Sequence, residues 1–475
     1  MELRKTSLAL LAAMLCFSCS EQNFYDEPTA TSPQAVDEPI GEASSDIVSR
    51  SDLSRIAAQF PSSESGARTR TSQQYSVSTI YDSTGLPAVY AINYAGNKGF
   101  VLVSATKRYN PILAYSDTGN FDTGSEMPGG LQMWKEQVID EIKMAQTLPE
   151  DSIERFRQMW LKYEDPERQI AKVKNNVKRL SQSSDPTIDQ WIMDAQLILM
   201  DSVSSWTSKG YKVYTPEDES DIELVKSSIY PLFEEEWQRL SVVVEHEIVY
   251  KTTVSNFMQT KWGQANGFNA SCPKIDGKLT IVGCGPVALG QVMRYFQHPS
   301  YFDWNAMPAN YATTQTANFL YDVGVKSNAD FGVLATGTTL GNIKNALETY
   351  GYSAEYKFSS NGSHNFNKAW DCLKRKIPVI MGGNPINDEG HAWVACGGET
   401  RMYLYRKDLM TFANRTGLRS IRNNDRYILD EEYLYMNWGW YGSSDGFYLD
   451  SKLKLPYSPN DVEKRNDIYY ITPKR

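Results

Sequence analysis

One stretch constrains this chain more than any other: Ile281-Val282-Gly283-Cys284-Gly285-Pro286-Val287-Ala288. An apolar approach ends in a Gly-Cys-Gly turn, and Val287, Ala288, Leu289, Val292, Met293 and Phe296 then recur at helical spacing. Pro286 fits the first turn of that helix, where a missing N–H costs nothing. Gln297-His298-Pro299 closes it. The spacing therefore predicts a helix with Cys284 at its N-terminus. There the helix dipole and unpaired N–H groups favour an anion, which favours a thiolate over a thiol. The flanking glycines let another backbone come close. A lone cysteine is more often a small buried side chain than a nucleophile, so the reading turns on what else the chain supplies.

A cysteine nucleophile needs a base, and the base needs a third group to orient its ring. Two later stretches offer them: Gly390-His391-Ala392-Trp393-Val394, and Tyr435-Met436-Asn437-Trp438-Gly439-Trp440-Tyr441-Gly442. Both combine β-type aromatic runs with Gly turns. Asp445 is the nearest alternative orienter. Upstream, Gln264 in Trp262-Gly263-Gln264 can supply an oxyanion donor beside the Cys284 N–H. The order Cys, His, Asn is that of papain-like proteases. Trp-Gly-Gln, Gly-Cys-Gly-Pro-Val-Ala, Gly-His-Ala-Trp-Val and Asn-Trp-Gly-Trp-Tyr-Gly, in that order, resemble the streptopain family of cysteine peptidases over about residues 250–475.

The resemblance implies an α+β fold. In its papain-like peptidase domain, a helix bearing the Cys packs on an antiparallel sheet bearing His and Asn, and a small α+β prodomain precedes it. It implies Cys284 as nucleophile, His391 as base, Asn437 as orienter and Gln264 as oxyanion donor, with Trp438 shielding the Asn–His hydrogen bond. Gly285-Pro286 departs from the Val-Ala often found after the Cys in this family.

At 475 residues the chain is long enough for two to three domains. Its net charge of −9, with no basic run, argues against a nucleic-acid partner. Neither the cysteines nor the four His residues fall into metal-ligand spacing, so no metal or other cofactor is expected. With one cysteine assigned to catalysis and two in the leader, Cys272, Cys372 and Cys396 do not imply a disulfide framework.

Residues 1–18 read as a signal peptide, with Arg4 and Lys5 ahead of an apolar run from Leu8 to Phe17. Ser18-Cys19 resembles a relaxed lipobox, so residues 19–46, rich in Pro, Ser, Thr and acidic residues, are expected to be a lipid-anchored flexible tether. Residues 47–145 predict an α+β module: a helix from Ser51 to Phe60, a hairpin at Ala88–Ser104, a strand at Pro111–Asp117 and an amphipathic helix at Leu131–Ile142. This module is similar to the propeptide of the streptopain family and its related protease-inhibitor domains. Residues 146–245 predict a charged helical connector, and residues 246–475 the catalytic domain. Within the latter, Lys376–Met381 is expected to pair with the His391 strand, and Arg401–Arg426 to be an exposed loop.

The expected function is a secreted or surface-anchored cysteine endopeptidase made as a zymogen. Its partners are protein or peptide substrates and its own prodomain as intramolecular inhibitor. Contact with the membrane is expected only through the anchor at Cys19, on the outer membrane or cell surface, with release by processing an option. Cuts in the connector are expected to leave a C-terminal fragment beginning between 225 and 255. The alternatives are a non-catalytic surface adhesin or peptidase inhibitor on the same scaffold, or an acyl transferase.

Overall fold

Ser49 and Asp52 close a capping box at the start of the first helix, α1 (Arg50–Gln59). The Ser49 hydroxyl accepts from the Asp52 N–H at 3.2 Å, and Asp52 Oδ2 accepts from the Ser49 N–H at 3.0 Å. The computed structural model describes residues 46–60, 74–124, 127–161, 163, 201–202, 204–205, 212–214, 240–359, 362–384, 390–412, 418–450 and 464–474. The leader, Cys19 and the tether up to residue 45 lie outside them.

Four antiparallel strands follow α1: β1 (Tyr75–Tyr81), β2 (Pro87–Tyr94), β3 (Phe100–Ser104) and β4 (Ile112–Ser116). The expected hairpin is β2–β3, with Asn93 opposite Phe100. Its turn uses Asn97 and Gly99 at φ 54° and 103°, the left-handed region those residues tolerate. The sequence reading misses β1, whose Ser- and Thr-rich strand buries no side chain fully and so shows no apolar face. Helix α2 (Gly129–Thr147) buries Leu131, Trp134, Val138, Ile142 and Ala145, an i, i+3, i+4 stripe.

The module does not stop at residue 145. Helix α3 (Glu150–Leu161) packs Ile153, Phe156, Met159 and Trp160 into the same core, which also takes in Tyr163. The Trp160 indole donates to the Tyr109 carbonyl at 2.8 Å. Arg108 clamps the α2–α3 junction, donating to the carbonyls of Ala145 and Leu148 and to Glu150. The abundant charge of α3 hid its buried face from a reading by composition.

The described parts of the connector are not only helical. Strand β5 (Lys212–Tyr214) pairs with β6 (Leu240–Val254), and β6 runs antiparallel to a later strand over its whole length. Val242, Val243, Val244, Ile248 and Val249 are β-branched, which suits a strand better than a helix. Among the described residues, the paired strand of the C-terminal part thus reaches back to Leu240, ahead of the expected boundary at residue 246.

It continues with β7 (Lys274–Ile275), β8 (Lys278–Leu279), α4 (Cys284–Phe296), α5 (Thr314–Lys326), α6 (Leu340–Thr349), β9 (Tyr352–Tyr356), α7 (Phe366–Lys374), β10 (Val379–Asn384), β11 (His391–Phe412), β12 (Leu418–Asn437), β13 (Gly446–Leu449) and β14 (Lys464–Pro473). The main sheet runs β1-β2-β3-β4-β13-β12-β11-β10-β14-β9, with β6 on the outer half of β11. The expected pairing of the strand after Lys376 with the His391 strand is β10–β11, where Gly383 faces His391. The stretch Arg401–Arg426 is not the expected loop. β11 and β12 run through most of it, and Arg401 is buried, bonded to Glu399 at 2.5 Å and Glu431 at 3.4 Å. Counting its charges missed Glu431, the acidic partner thirty positions on that with Glu399 makes this burial tolerable.

Two cores result. One joins α4, α5 and α6 around Trp262, Phe319 and Leu320. The other lies between the sheet and the N-terminal module, which meet along β4 and β13 with Phe447 opposite Tyr115. Tyr115 stacks on Phe447 at 5.0 Å, and Trp134 meets Tyr448 edge-on at 4.7 Å. The Trp134 indole donates to the Leu449 carbonyl at 3.0 Å, and the Tyr433 hydroxyl to the Ile112 carbonyl at 3.0 Å. A buried Phe-sized side chain contributes about 1.5–3 kcal/mol, a backbone hydrogen bond only about 0.5–1.5 kcal/mol. Aromatic burial therefore dominates this seam, and the strand pairing fixes its register. The fold is α+β, with the Cys284 helix packed on the antiparallel sheet that carries His391 and Asn437.

Candidate active site

Cys284 is the first residue of α4, and Gly283 before it has φ 92°. A side chain at Gly283 would bring its Cβ within 2.8 Å of the Thr336 carbonyl oxygen, so only glycine fits both the angle and the space. Cys284 is half-buried, and its Sγ accepts from the Ala392 N–H at 3.4 Å. Ala392 directly follows His391, the first residue of β11. Helix α4 and strand β11 thus bring the predicted nucleophile to the segment that carries the predicted base. The other described thiols are unsuited to attack. Burial pushes Cys272 and Cys372 each up to about 11, and Cys396 well above the ordinary thiol range.

Gln264 joins them through the main chain. Its carbonyl accepts from the Val282 N–H at 2.9 Å, two residues before Cys284, and its side chain is half-buried.

Asn437 is placed differently from expectation. It is 2 % exposed, and its Oδ1 accepts from Gln291 Nε2 and from the Gly439 N–H, both at 3.0 Å. Its Nδ2 donates to the Thr260 carbonyl at 2.7 Å. Both lone pairs of the oxygen are thereby taken, and His391 is not among its partners, so the expected Asn–His bond is not formed. Sequence reasoning missed Gln291, although a signal existed. It lies seven residues, two helical turns, after Cys284, a lone polar side chain among the buried residues of α4.

Trp438 is buried, its indole donating to the Ser444 carbonyl at 3.1 Å and its ring 5.6 Å from that of Trp393. With no Asn–His bond present, it shields the turn instead. Asp445 accepts from the Trp438 N–H at 3.0 Å, so it too supports the turn. Burial lifts its carboxyl from an ordinary 3.8 to about 7, against the Trp438 N–H and Lys261. A carboxyl raised in this way costs stability as the pH climbs, because the unfolded chain ionises first. Asp445→Asn keeps the acceptor and removes that cost. It should stabilise the chain by on the order of 1–3 kcal/mol above pH ~7, with the gain fading toward pH ~4. Urea unfolding at both ends of that range reads it, and an equal gain at both would contradict the buried-acid reading.

The base has an unexpected neighbour. A Cβ added at Gly129, the first residue of α2, would lie 2.1 Å from His391 Cε1 and Nε2 and 2.2 Å from Nδ1. The imidazole face therefore rests on the glycine backbone. Gly130 sits likewise on Trp393, and Met133 reaches Gly383 beside it. The N-terminal module thus covers His391, the predicted base, with the start of α2. No local signal in Pro128-Gly129-Gly130 pointed to a residue 262 positions away.

Residues 262–301 and 300–448 match the Peptidase C10 family, and residues 45–142 match the Spi protease inhibitor family. A curated relative, the thiol protease/hemagglutinin PrtT of Porphyromonas gingivalis, is 24% identical over 229 residues, 40% of this chain. The chain spans 23% of that relative's length. Two solved structures are also similar. A fragment of Prevotella intermedia prointerpain A shares 18% identity with a TM-score of 0.44, over 84% of this chain and 98% of that one. Active interpain A of the same organism shares 22% identity with a TM-score of 0.31, over 46% and 94%. Over its C-terminal part the chain is thus similar to the Peptidase C10 family of cysteine peptidases, with a segment similar to the Spi protease inhibitors in front.

Proposed function

We propose that this chain is an exported cysteine endopeptidase made as a zymogen. The observation that carries the reading is the seating of Cys284 at the start of α4, with its sulfur against the peptide N–H that follows His391. The Cys284 thiolate attacks a substrate carbonyl carbon. The Gln264 carboxamide and the Cys284 N–H hold the resulting oxyanion. The His391 imidazolium protonates the leaving amine as the C–N bond breaks, leaving a thioester. Water then attacks the thioester and gives its proton to His391, which releases the carboxylic acid and restores the pair.

The likeness of residues 45–142 to a protease inhibitor, and the seat of Gly129 on His391, support the N-terminal module as the intramolecular inhibitor. While the ring rests there it cannot serve a substrate. The continuous pairing of β6 supports a maturation cut before Leu240 rather than within 240–255, since hydrogen-bonded strands resist nicking.

Cys19 is the proposed lipid-attachment site, which would make the chain a surface lipoprotein. Cys19→Ala should move it from the membrane to the soluble fraction, as anchoring needs the acyl chains. An unchanged distribution would leave plain secretion.

The test of activity is mass spectrometry of casein incubated with the purified chain, with and without iodoacetamide. Thiol-sensitive internal cuts are expected. Intact casein, or amide-exchanged products in place of hydrolysed ones, would reject the endopeptidase reading.

A further inference from the structure

Tyr441 closes the turn that begins at Asn437, and its backbone is strained, with φ 58° in the left-handed region. Such strain persists only where surrounding contacts demand it. Here the contacts fall on the loop that carries Gln264. The Tyr441 N–H donates to the Trp262 carbonyl at 3.2 Å. Its hydroxyl accepts from the Ala265 N–H at 2.9 Å. Between these two points its ring lies on Gly263, where an added Cβ would fall 2.2 Å from Cε1 and 2.4 Å from Cζ. The Gln264 carbonyl itself is held by the Val282 N–H, on the segment leading to Cys284.

We propose that Tyr441 is a positioning residue for the oxyanion hole: it brackets the main chain on both sides of Gln264, so that the carboxamide is preset beside the Cys284 N–H. The proposal rests on the reading of Gln264 as an oxyanion donor. Donors fixed before the charge develops cost no reorganisation during the reaction. A loop displaced by a fraction of an ångström would lose that benefit without touching the thiolate.

Tyr441→Phe isolates the effect, because it keeps the ring over Gly263 and the backbone donor and removes only the hydroxyl. The assay uses the processed chain, converted where necessary by affinity-tagged wild type that is then removed. Tyr441→Phe should lower kcat about tenfold with KM within about twofold. The rate of Cys284 alkylation by iodoacetamide should not change, since the thiol is not the group displaced. Gln264→Ala alone should lower kcat roughly 100- to 1,000-fold. Adding Tyr441→Phe to it should then change kcat by less than about twofold, because residues acting as one unit are not additive. Gly263→Ala pushes on the same ring from the loop side and should show the same loss and the same non-additivity.

A full further tenfold loss in the Gln264→Ala/Tyr441→Phe pair would overturn the proposal, as would a normal kcat in Tyr441→Phe beside a crippled Gln264→Ala. In either case Gln264 keeps its role. A normal kcat in Gln264→Ala would overturn the oxyanion reading itself, and the role of Tyr441 with it.

Discussion

Cys284→Ala should abolish casein cleavage and conversion of the chain to its shorter form, a loss on the order of a million-fold in kcat. No other described thiol can take its place. Cys272, Cys372 and Cys396 are buried, and burial holds all three protonated. Their alanine variants should keep activity within about threefold wherever they fold. His391→Ala should match Cys284→Ala, and the double variant should be no worse than either, because nucleophile and base act as one unit. Turnover of a fluorogenic peptide after conversion in trans reads all of these. Substantial residual turnover in pure Cys284→Ala protein would move the nucleophile elsewhere.

Gly129→Val should make the uncut chain active. The valine side chain would begin inside the His391 ring, so the first turn of α2 has to lift away. Forcing a side chain into a filled contact costs about 1–3 kcal/mol. That cost shifts the balance between covered and open site about 5- to 150-fold toward the open form. The rest of the seam, Trp134 on Tyr448 and Tyr115 on Phe447, is untouched, so the module should stay folded and docked. Initial rates on a small peptide, taken before any shorter fragment appears, separate this release from ordinary processing. A Gly129→Val chain as silent as wild type, with normal activity once cut, would show that latency does not depend on this contact.

The parts legible in the sequence are those whose cause is local. The Gly283-Cys284-Gly285-Pro286 turn states its own helix start, and the β2–β3 hairpin announces itself through Asn97-Lys98-Gly99 between two apolar runs. The nearness of Cys284 to His391 came from the order of the motifs, since nothing in either stretch encodes the other. What escaped were contacts between distant residues. Arg401 looked like a surface charge because Glu431, its buried partner, lies thirty positions on. Asn437 looked available to His391 because Gln291 and Gly439, which claim its oxygen, enter only in the folded turn. The start of β6, before residue 246, looked like connector because its partners lie far along the chain, with Phe412 opposite Leu240.

The most direct test of a latent Cys284–His391 pair is the rate at which iodoacetamide alkylates Cys284 near neutral pH, read by mass spectrometry of the peptide that contains it. The same preparation is measured before and after processing. The module seated on His391 hinders a reagent approaching the neighbouring Cys284 sulfur, and its removal opens that approach. Cys284 should therefore label slowly in the full chain and at least about tenfold faster in the processed chain, with Cys272, Cys372 and Cys396 unlabelled in both. Equal labelling of Cys284 in the two forms, or labelling no faster than that of the buried thiols, would contradict the account.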